Sequence, residues 1–298
     1  MIEKLRTPDS RFENLPDFAF KPKYIDNLTG YSNLRMHYLD IGTANEDEVF
    51  LCLHGEPTWC FLYRKMIKVF QENGYRSIAP DFFGFGRSDK PIEDSIYTFD
   101  FHRNALIEFI LALDLKNIVL VCQDWGGVIG LTIPHIMPDR FKRLIIMNTG
   151  FANGIINEEF LRWKEYNNIK DDLNIAQMIK SWMPTVSESE ALAYEAPFPD
   201  KRYKAGVRSF PNLLPVNKEM PGVEVSKQAI NFWKTQWEGD TFMAIGMKDE
   251  IVGPSVMIPI QNTIRNCSEP LEIEYSGHFV PELGDIVAMK ALEYFSRC

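Results

Sequence analysis

Three residues whose side chains could share one reaction, Asp124, Asp249 and His278, each follow a short apolar run that reads as a buried strand. A carboxylate can act as a nucleophile, an imidazole moves protons near neutral pH, and a second carboxylate can fix the imidazole's tautomer and balance its charge. Each residue also has a plain structural reading. Asp124 could be a turn residue, Asp249 could cap the following helix, and His278 could be a satisfied buried histidine. It is the coincidence of all three with strand ends, in the order nucleophile, acid, histidine, that points to chemistry. The other histidines, His37, His54, His102 and His135, fall on a strand, beside a loop glycine, or on helices, and read as structural.

The elements that must position these groups follow from hydrophobic periodicity. In Ile118-Val119-Leu120-Val121-Cys122-Gln123-Asp124-Trp125-Gly126-Gly127 an unbroken apolar run predicts a parallel strand covered on both faces, and Val128–Ile136 predicts a helix after a tight turn. This is the strand–turn–helix context of the nucleophile elbow G-x-S-x-G, with Asp124 in the serine's place, Gly126 as a small follower, and Cys122 where the first glycine would stand. The order Asp124, Asp249, His278 is also the triad order of the α/β-hydrolase fold, which other triad folds do not share. A second short strand, Val49–Leu53, runs into His54-Gly55-Glu56-Pro57-Thr58-Trp59, a loop at the strand end where open α/β sheets place function. Further strands are predicted at Leu34–Leu39, Tyr75–Ala79, Leu144–Met147, Phe242–Gly246 and Leu271–Tyr275. Helices are predicted at Phe61–Glu72, Phe99–Leu113 and from about Asp285 to Ser296.

Such alternation predicts a mostly parallel central sheet flanked by helices. From Phe151 to about Trp237 no clear strand occurs, and aromatic-rich helical pieces alternate with connectors such as Ala196-Pro197-Phe198-Pro199. The expected organisation is a core domain of residues 1–150 and 238–298 with an inserted helical cap, residues 151–237. The glycines of Asp81-Phe82-Phe83-Gly84-Phe85-Gly86-Arg87-Ser88 do not form a phosphate loop, because no Lys-Ser/Thr or full G-x-G-x-x-G follows.

Composition narrows the function classes. Of 298 residues, 45% are hydrophobic and 24% charged, and no apolar run approaches the roughly 18 residues of a membrane span. A net charge of −9 argues against nucleic acid or an anionic membrane as partner. The five cysteines, Cys52, Cys60, Cys122, Cys267 and Cys298, form no C-x-x-C pair, so free thiols and no metal site are expected. The first residues carry both charge signs and no apolar signal core, so a cytoplasmic location is expected, with the protein as a monomer. No cofactor fingerprint is present.

Over nearly its whole length the sequence resembles the haloalkane dehalogenases, and closely the type that hydrolyses 1,2-dichloroethane. The resemblance is carried by His54-Gly55-Glu56-Pro57-Thr58-Trp59, Asp81-Phe82-Phe83-Gly84-Phe85-Gly86, Gln123-Asp124-Trp125-Gly126-Gly127, Ala196-Pro197-Phe198-Pro199-Asp200, Gly246-Met247-Lys248-Asp249 and Gly277-His278-Phe279. It implies an α/β-hydrolase fold and hydrolysis of short, neutral haloalkanes by water to alcohol, halide and proton, with Asp124 as nucleophile, His278 as base and Asp249 as the acid orienting it. It also implies an oxyanion hole from the backbone N–H groups of Glu56 and Trp125, and a halide site from the indoles of Trp125 and a cap tryptophan. Phe160-Leu161-Arg162-Trp163-Lys164 is similar to the family's cap segment, which assigns Trp163, with Trp182 as the competitor because the chain is about a dozen residues shorter just before it. The implied pocket wall comprises Phe160, Trp182, Phe210, Pro211 and Leu214 from the cap, with Val128, Val252 and Phe279 from the core.

The implied chemistry explains the residue types. An alkyl halide has no carbonyl to attack, and serine would form an ether that water does not readily cleave, whereas aspartate forms an ester that water can open. An indole N–H donates to halide and cannot trap it. The nearest rival is an epoxide hydrolase, which needs cap tyrosines, for which Tyr166, Tyr194 and Tyr203 are available. Its oxyanion loop, however, carries an aromatic residue, whereas this chain reads His54-Gly55-Glu56-Pro57. A haloacid dehalogenase would have arginine after the nucleophile, and a non-catalytic binding protein of this fold would not need an intact triad.

Overall fold

The apolar runs become one eight-stranded sheet in the computed structural model, which describes residues 2–43 and 48–297. In chain order the strands are β1 (Lys23–Ile25), β2 (Met36–Ile41), β3 (Val49–Leu53), β4 (Arg76–Pro80), β5 (Ile118–Gln123), β6 (Phe141–Met147), β7 (Asp240–Gly246) and β8 (Leu271–Ile273). They lie side by side as β8-β7-β6-β5-β3-β4-β2-β1. Strands β3 to β8 run parallel, while β2 is antiparallel to both β4 and β1. All residues of β3 and β5 are buried, as their uninterrupted apolar character requires of strands covered on both faces. Leu53 pairs with Cys122, Cys122 with Ile146, Met147 with Ala244, and Gly246 with Ile273. The carboxyl ends of five strands therefore finish along one edge, and the loops leaving that edge carry Glu56, Asp124, Asn148, Asp249 and His278.

Helices α1 (Arg64–Glu72), α2 (Phe99–Ala112) and α3 (Trp125–Gly130) precede β6. Five more, α4 (Glu158–Ile169), α5 (Ile175–Trp182), α6 (Glu188–Glu195), α7 (Ala205–Leu213) and α8 (Val223–Thr235), separate β6 from β7, and α9 (Pro254–Gln261) and α10 (Gly284–Phe295) follow. No strand interrupts the five inserted helices among the described residues. Their ends are written locally: Asn157, Asn174 and Ser187 each accept a backbone N–H at a helix start, and Glu190 completes a capping box with Ser187. Helix α8 runs back along the sheet-bearing part, where the buried Trp233 donates its indole N–H to the Leu131 carbonyl at 2.8 Å.

A buried ion cluster ties the inserted helices to the rest. Arg64, without solvent exposure, donates to both oxygens of Glu282 (2.5 and 2.9 Å) and to Glu190 on α6 (2.6 Å), and Tyr194 also donates to Glu282. Mutual pairing is what makes such buried charges tolerable, since removing one partner would strand the others, although Arg64 Nε itself has no partner among the described residues.

Three local expectations need correction. The helix expected over Val128–Ile136 begins at Trp125 and ends at Gly130, because the turn at Asp124 leads directly into helical backbone and Pro134 starts a separate 3-10 turn. The first turn of the Phe61–Glu72 helix is a 3-10 segment, Cys60–Tyr63. Strand β1 was not expected, being only three residues long. Cys52, Cys60, Cys122 and Cys267 are free thiols, and Cys298 lies outside the described residues. No helix of the described residues is long and apolar enough to cross a membrane.

Candidate active site

Asp124 leaves β5 with φ +50° and ψ −128°, a backbone conformation that costs a non-glycine residue about 1–3 kcal/mol. The surroundings hold it there. Its N–H donates to the Asn148 carbonyl (2.9 Å), and its carbonyl accepts from Gly127 N (2.9 Å), Val128 N (3.0 Å) and the Thr149 hydroxyl (2.6 Å). Glycine is required at the next position, since a Cβ on Gly126 would stand 1.9 Å from the Leu53 carbonyl oxygen. The turn thereby lifts the Asp124 carboxylate off the sheet edge.

Each carboxylate oxygen of Asp124 has a separate environment. Oδ1 accepts the Glu56 backbone N–H at 2.8 Å, and Gly55 permits that approach because a Cβ there would meet Oδ1 at 2.2 Å. Oδ2 faces His278 Nε2 at 3.4 Å. The Trp125 N–H opens α3 and so has no intrahelical acceptor. The Glu56 side chain is itself buried, with Oε1 unpartnered among the described residues, and burial together with the Asp124 charge pushes its carboxyl well up.

His278 lies between two carboxylates. Its Nδ1 is 2.8 Å from Asp249 Oδ2, and its Nε2 looks toward Asp124. Burial disfavours the imidazolium, but the Asp249 charge and the contact with Asp124 outweigh it and raise His278 to about 10. Burial likewise opposes the charge of Asp249, yet His278 and its other donors hold that carboxyl below its usual range. Those donors are Ile251 N (2.9 Å) and Val252 N (3.1 Å) on Oδ1, and Asn148 Nδ2 (2.9 Å) on Oδ2. Asp249 therefore serves its local turn and the histidine at once.

Two polar residues that sequence reasoning left without a role complete this arrangement. Asn148 donates to Asp249 and to the Gly246 carbonyl (3.1 Å) and accepts Gly246 N (2.8 Å), joining the ends of β6 and β7. Gln123 donates its amide to the His278 carbonyl (3.1 Å), which fixes the amide's orientation and sets the same nitrogen 3.0 Å from His278 Nε2. Both are polar residues ending an apolar strand, and that signal could have found them.

The six tryptophans sort into two groups. Trp59, Trp233 and Trp237 donate their indole N–H to Ala193, Leu131 and Thr241. No described protein group accepts from Trp125, Trp163 or Trp182. These three lie about the site. Trp125 is buried edge-on to Phe210 at 5.0 Å, Trp163 meets Trp182 at 4.9 Å, and Trp182 meets His278 at 5.9 Å and stacks on Phe279 at 5.7 Å. Trp182 thus stands between Trp163 and the histidine.

A cavity of about 480 Å³ opens onto Asp124 and Trp125, with Val128, Phe160, Leu214 and Val252 in its wall. Trp163, Trp182, Phe210, Pro211 and Phe279 do not border it; Phe210 and Pro211 are buried in α7, and Phe279 packs against His278 at 4.9 Å. Behind the site, His37, Cys60 and Asp81 bring potential ligand atoms within 4.8 Å, but Asp81 already accepts from His37, Cys60 N and Arg87 N.

A family model described as the alpha/beta hydrolase fold matches residues 48–285. The chain is 46% identical to a haloalkane dehalogenase of Psychrobacter cryohalolentis over 76% of this chain and 75% of the relative. It is 37% identical to one of Mycolicibacterium paratuberculosis over 93% of each. The chain belongs to the haloalkane dehalogenase family. Its fold superposes on the structure of the haloalkane dehalogenase DpaA from Paraglaciecola agarilytica, described as tetrameric, with a TM-score of 0.96 and 53% identity over 98% of each chain. Dehalogenase chemistry also agrees with the fate of the tyrosines. Tyr194, which an epoxide hydrolase could use as an acid, commits its hydroxyl to Glu282, and Tyr166 is exposed.

Proposed function

We propose that Asp124, His278 and Asp249 carry the hydrolytic dehalogenation of haloalkanes in two covalent steps. Asp124 Oδ2 attacks the halogen-bearing carbon, forming a carbon–oxygen bond as the carbon–halogen bond breaks, and the halide leaves with the electron pair. The indole N–H groups of Trp125 and Trp163 receive it, a reading supported by the lack of any protein acceptor for either. In the second step His278 Nε2 takes a proton from water, whose oxygen adds to the Asp124 carboxyl carbon. The Glu56 and Trp125 N–H groups hold the oxyanion, each worth about 3–4 kcal/mol in comparable acyl chemistry. The alkoxide leaves with the proton from His278, and Asp124 reionises, so alcohol, halide and one proton are released.

The observation that carries this reading is the division of Asp124, one oxygen on a backbone N–H and the other facing His278. With His278→Gln and a bromoalkane, about one bromide per protein should be released in a burst, and the peptide containing Asp124 should gain the alkyl mass. Absence of both in a folded variant would refute the two-step scheme.

The cavity wall, with Trp182, Phe210, Pro211 and Phe279 behind it, is proposed to enclose short haloalkanes, and residues 151–237 to act as cap over a core of 1–150 and 238–298. Since one chain supplies every group named, we propose the monomer as the catalytic unit. Specific activity should then stay constant on dilution through dissociation of any oligomer, and a proportional loss would refute it. The free thiols of Cys52, Cys60, Cys122 and Cys267 among the described residues support a proposed cytoplasmic location.

A further inference from the structure

We propose that Asn157 is a positioning residue that sets the halide site by binding the start of α4 to the loop holding Asp249. The two ends of its amide do different work. Its oxygen caps α4, accepting Phe160 N at 2.9 Å, while its nitrogen donates to the carbonyl of Ile251 at 2.7 Å and approaches that of Glu250 at 3.4 Å. The segment it grips is the one whose Ile251 and Val252 N–H groups hold Asp249 Oδ1. One peptide segment therefore faces the catalytic acid with its N–H groups and the inserted helix with its carbonyls.

Among the described residues, this is the one side-chain hydrogen bond from α4 or its cap residue to the sheet-bearing part. The others stay within α4 or go to α7, from Asn167 to the Arg208 carbonyl (3.0 Å) and between Asn168 and Asn212 (3.2 Å). Trp163 stands six residues beyond Asn157, about 9 Å along the helix axis. Freed at its amino end, α4 would be held through α7, whose Phe210 packs on Trp125, and through the contact of Trp163 with Trp182, so its first turns could shift against the Asp249 loop and loosen the placement of Trp163 relative to Trp125. This rests on the proposed halide role of Trp163.

Serine and aspartate separate the two functions of Asn157. Either can cap a helix, serine is too short to reach the Ile251 carbonyl, and aspartate sets an acceptor against it. The test measures chloride and bromide dissociation constants by tryptophan fluorescence, along with KM, the halide burst rate, the ester-hydrolysis rate and Tm, for Asn157→Ser, Asn157→Asp and Trp163→Phe. If Asn157 only caps, the serine variant behaves as wild type. The inference predicts about tenfold weaker halide binding and higher KM in both Asn157 variants, with a slower burst, ester hydrolysis within about twofold, and Tm within a few degrees. Halide affinity and KM within twofold of wild type in both, with Trp163→Phe abolishing the quench, would overturn the tether alone. A Trp163→Phe variant that binds halide normally would overturn the halide assignment beneath it.

Discussion

Replacing Asp124 with Asn should return the neighbouring imidazole toward neutrality. His278 is raised to about 10 with Asp249 on one side and Asp124 on the other. For a unit charge pair 3.4 Å apart, as Nε2 and Oδ2 are, an effective dielectric of 20 gives about 5 kcal/mol. That energy is the most the Asp124 charge contributes; the Asp249 charge is the larger cause of the raised value and stays in place, so removing the Asp124 charge lowers His278 from about 10 without removing the whole shift. The same loss of charge accompanies alkylation of Asp124 during turnover. The histidine would be an acid-form spectator while the carboxylate attacks, and would become a competent base only once the ester exists. The assay is the pH dependence of the imidazole C–H resonances by NMR, with His278 identified by its disappearance in His278→Gln. Stability supplies a second readout. A raised folded value stabilises fully below the unfolded value of about 6.5 and is lost as pH rises through about 10. Wild type should therefore lose stability relative to Asp124→Asn across that window. Equal His278 titration midpoints in the two proteins would refute the coupling.

Asn148→Ala should slow ester hydrolysis more than halide release, so that alkyl-enzyme accumulates in rapid-quench mass spectra; the buried Gly246 N–H it strands, with one donor lost to Asp249 Oδ2, should cost about 1–3 kcal/mol in denaturant unfolding. Gly126→Ala should cost at least about 4 kcal/mol or prevent folding, because the new methyl meets backbone that cannot move away. Gly30→Ala is the control: a Cβ there meets nothing within 4 Å, leaving only the φ +83° strain of about 1–2 kcal/mol.

The parallel strands were legible because burial on both faces writes them as continuous apolar runs, and the groups at their ends were legible because a carboxylate or imidazole closing such a run is conspicuous. What was hidden depends on register and contact. Helix α3 starts at Trp125 because of how closely Gly126 passes Leu53, which one strand's sequence does not disclose. The role of Asn148 appears only when Met147 is set opposite Ala244, bringing its amide to Asp249. The division of the tryptophans was equally out of reach, since whether an indole N–H is occupied depends on acceptors as far away in sequence as Ala193 is from Trp59. Nothing in the sequence singles out Asn157, and its bond to the Ile251 carbonyl exists only because the insertion folds back on that loop.

The sorting of the indoles also makes the molecule its own fluorometer. Trp59, Trp233 and Trp237 are buried and spend their N–H groups on protein acceptors, so an anion entering beside Asp124 finds no donor on them. Emission from these three forms a steady background against which Trp125, at the cavity, and Trp163 and Trp182 near it report. Halide titrations should consequently level off at a partial quench, and the unquenched remainder provides an internal standard for protein concentration and lamp drift in every cuvette.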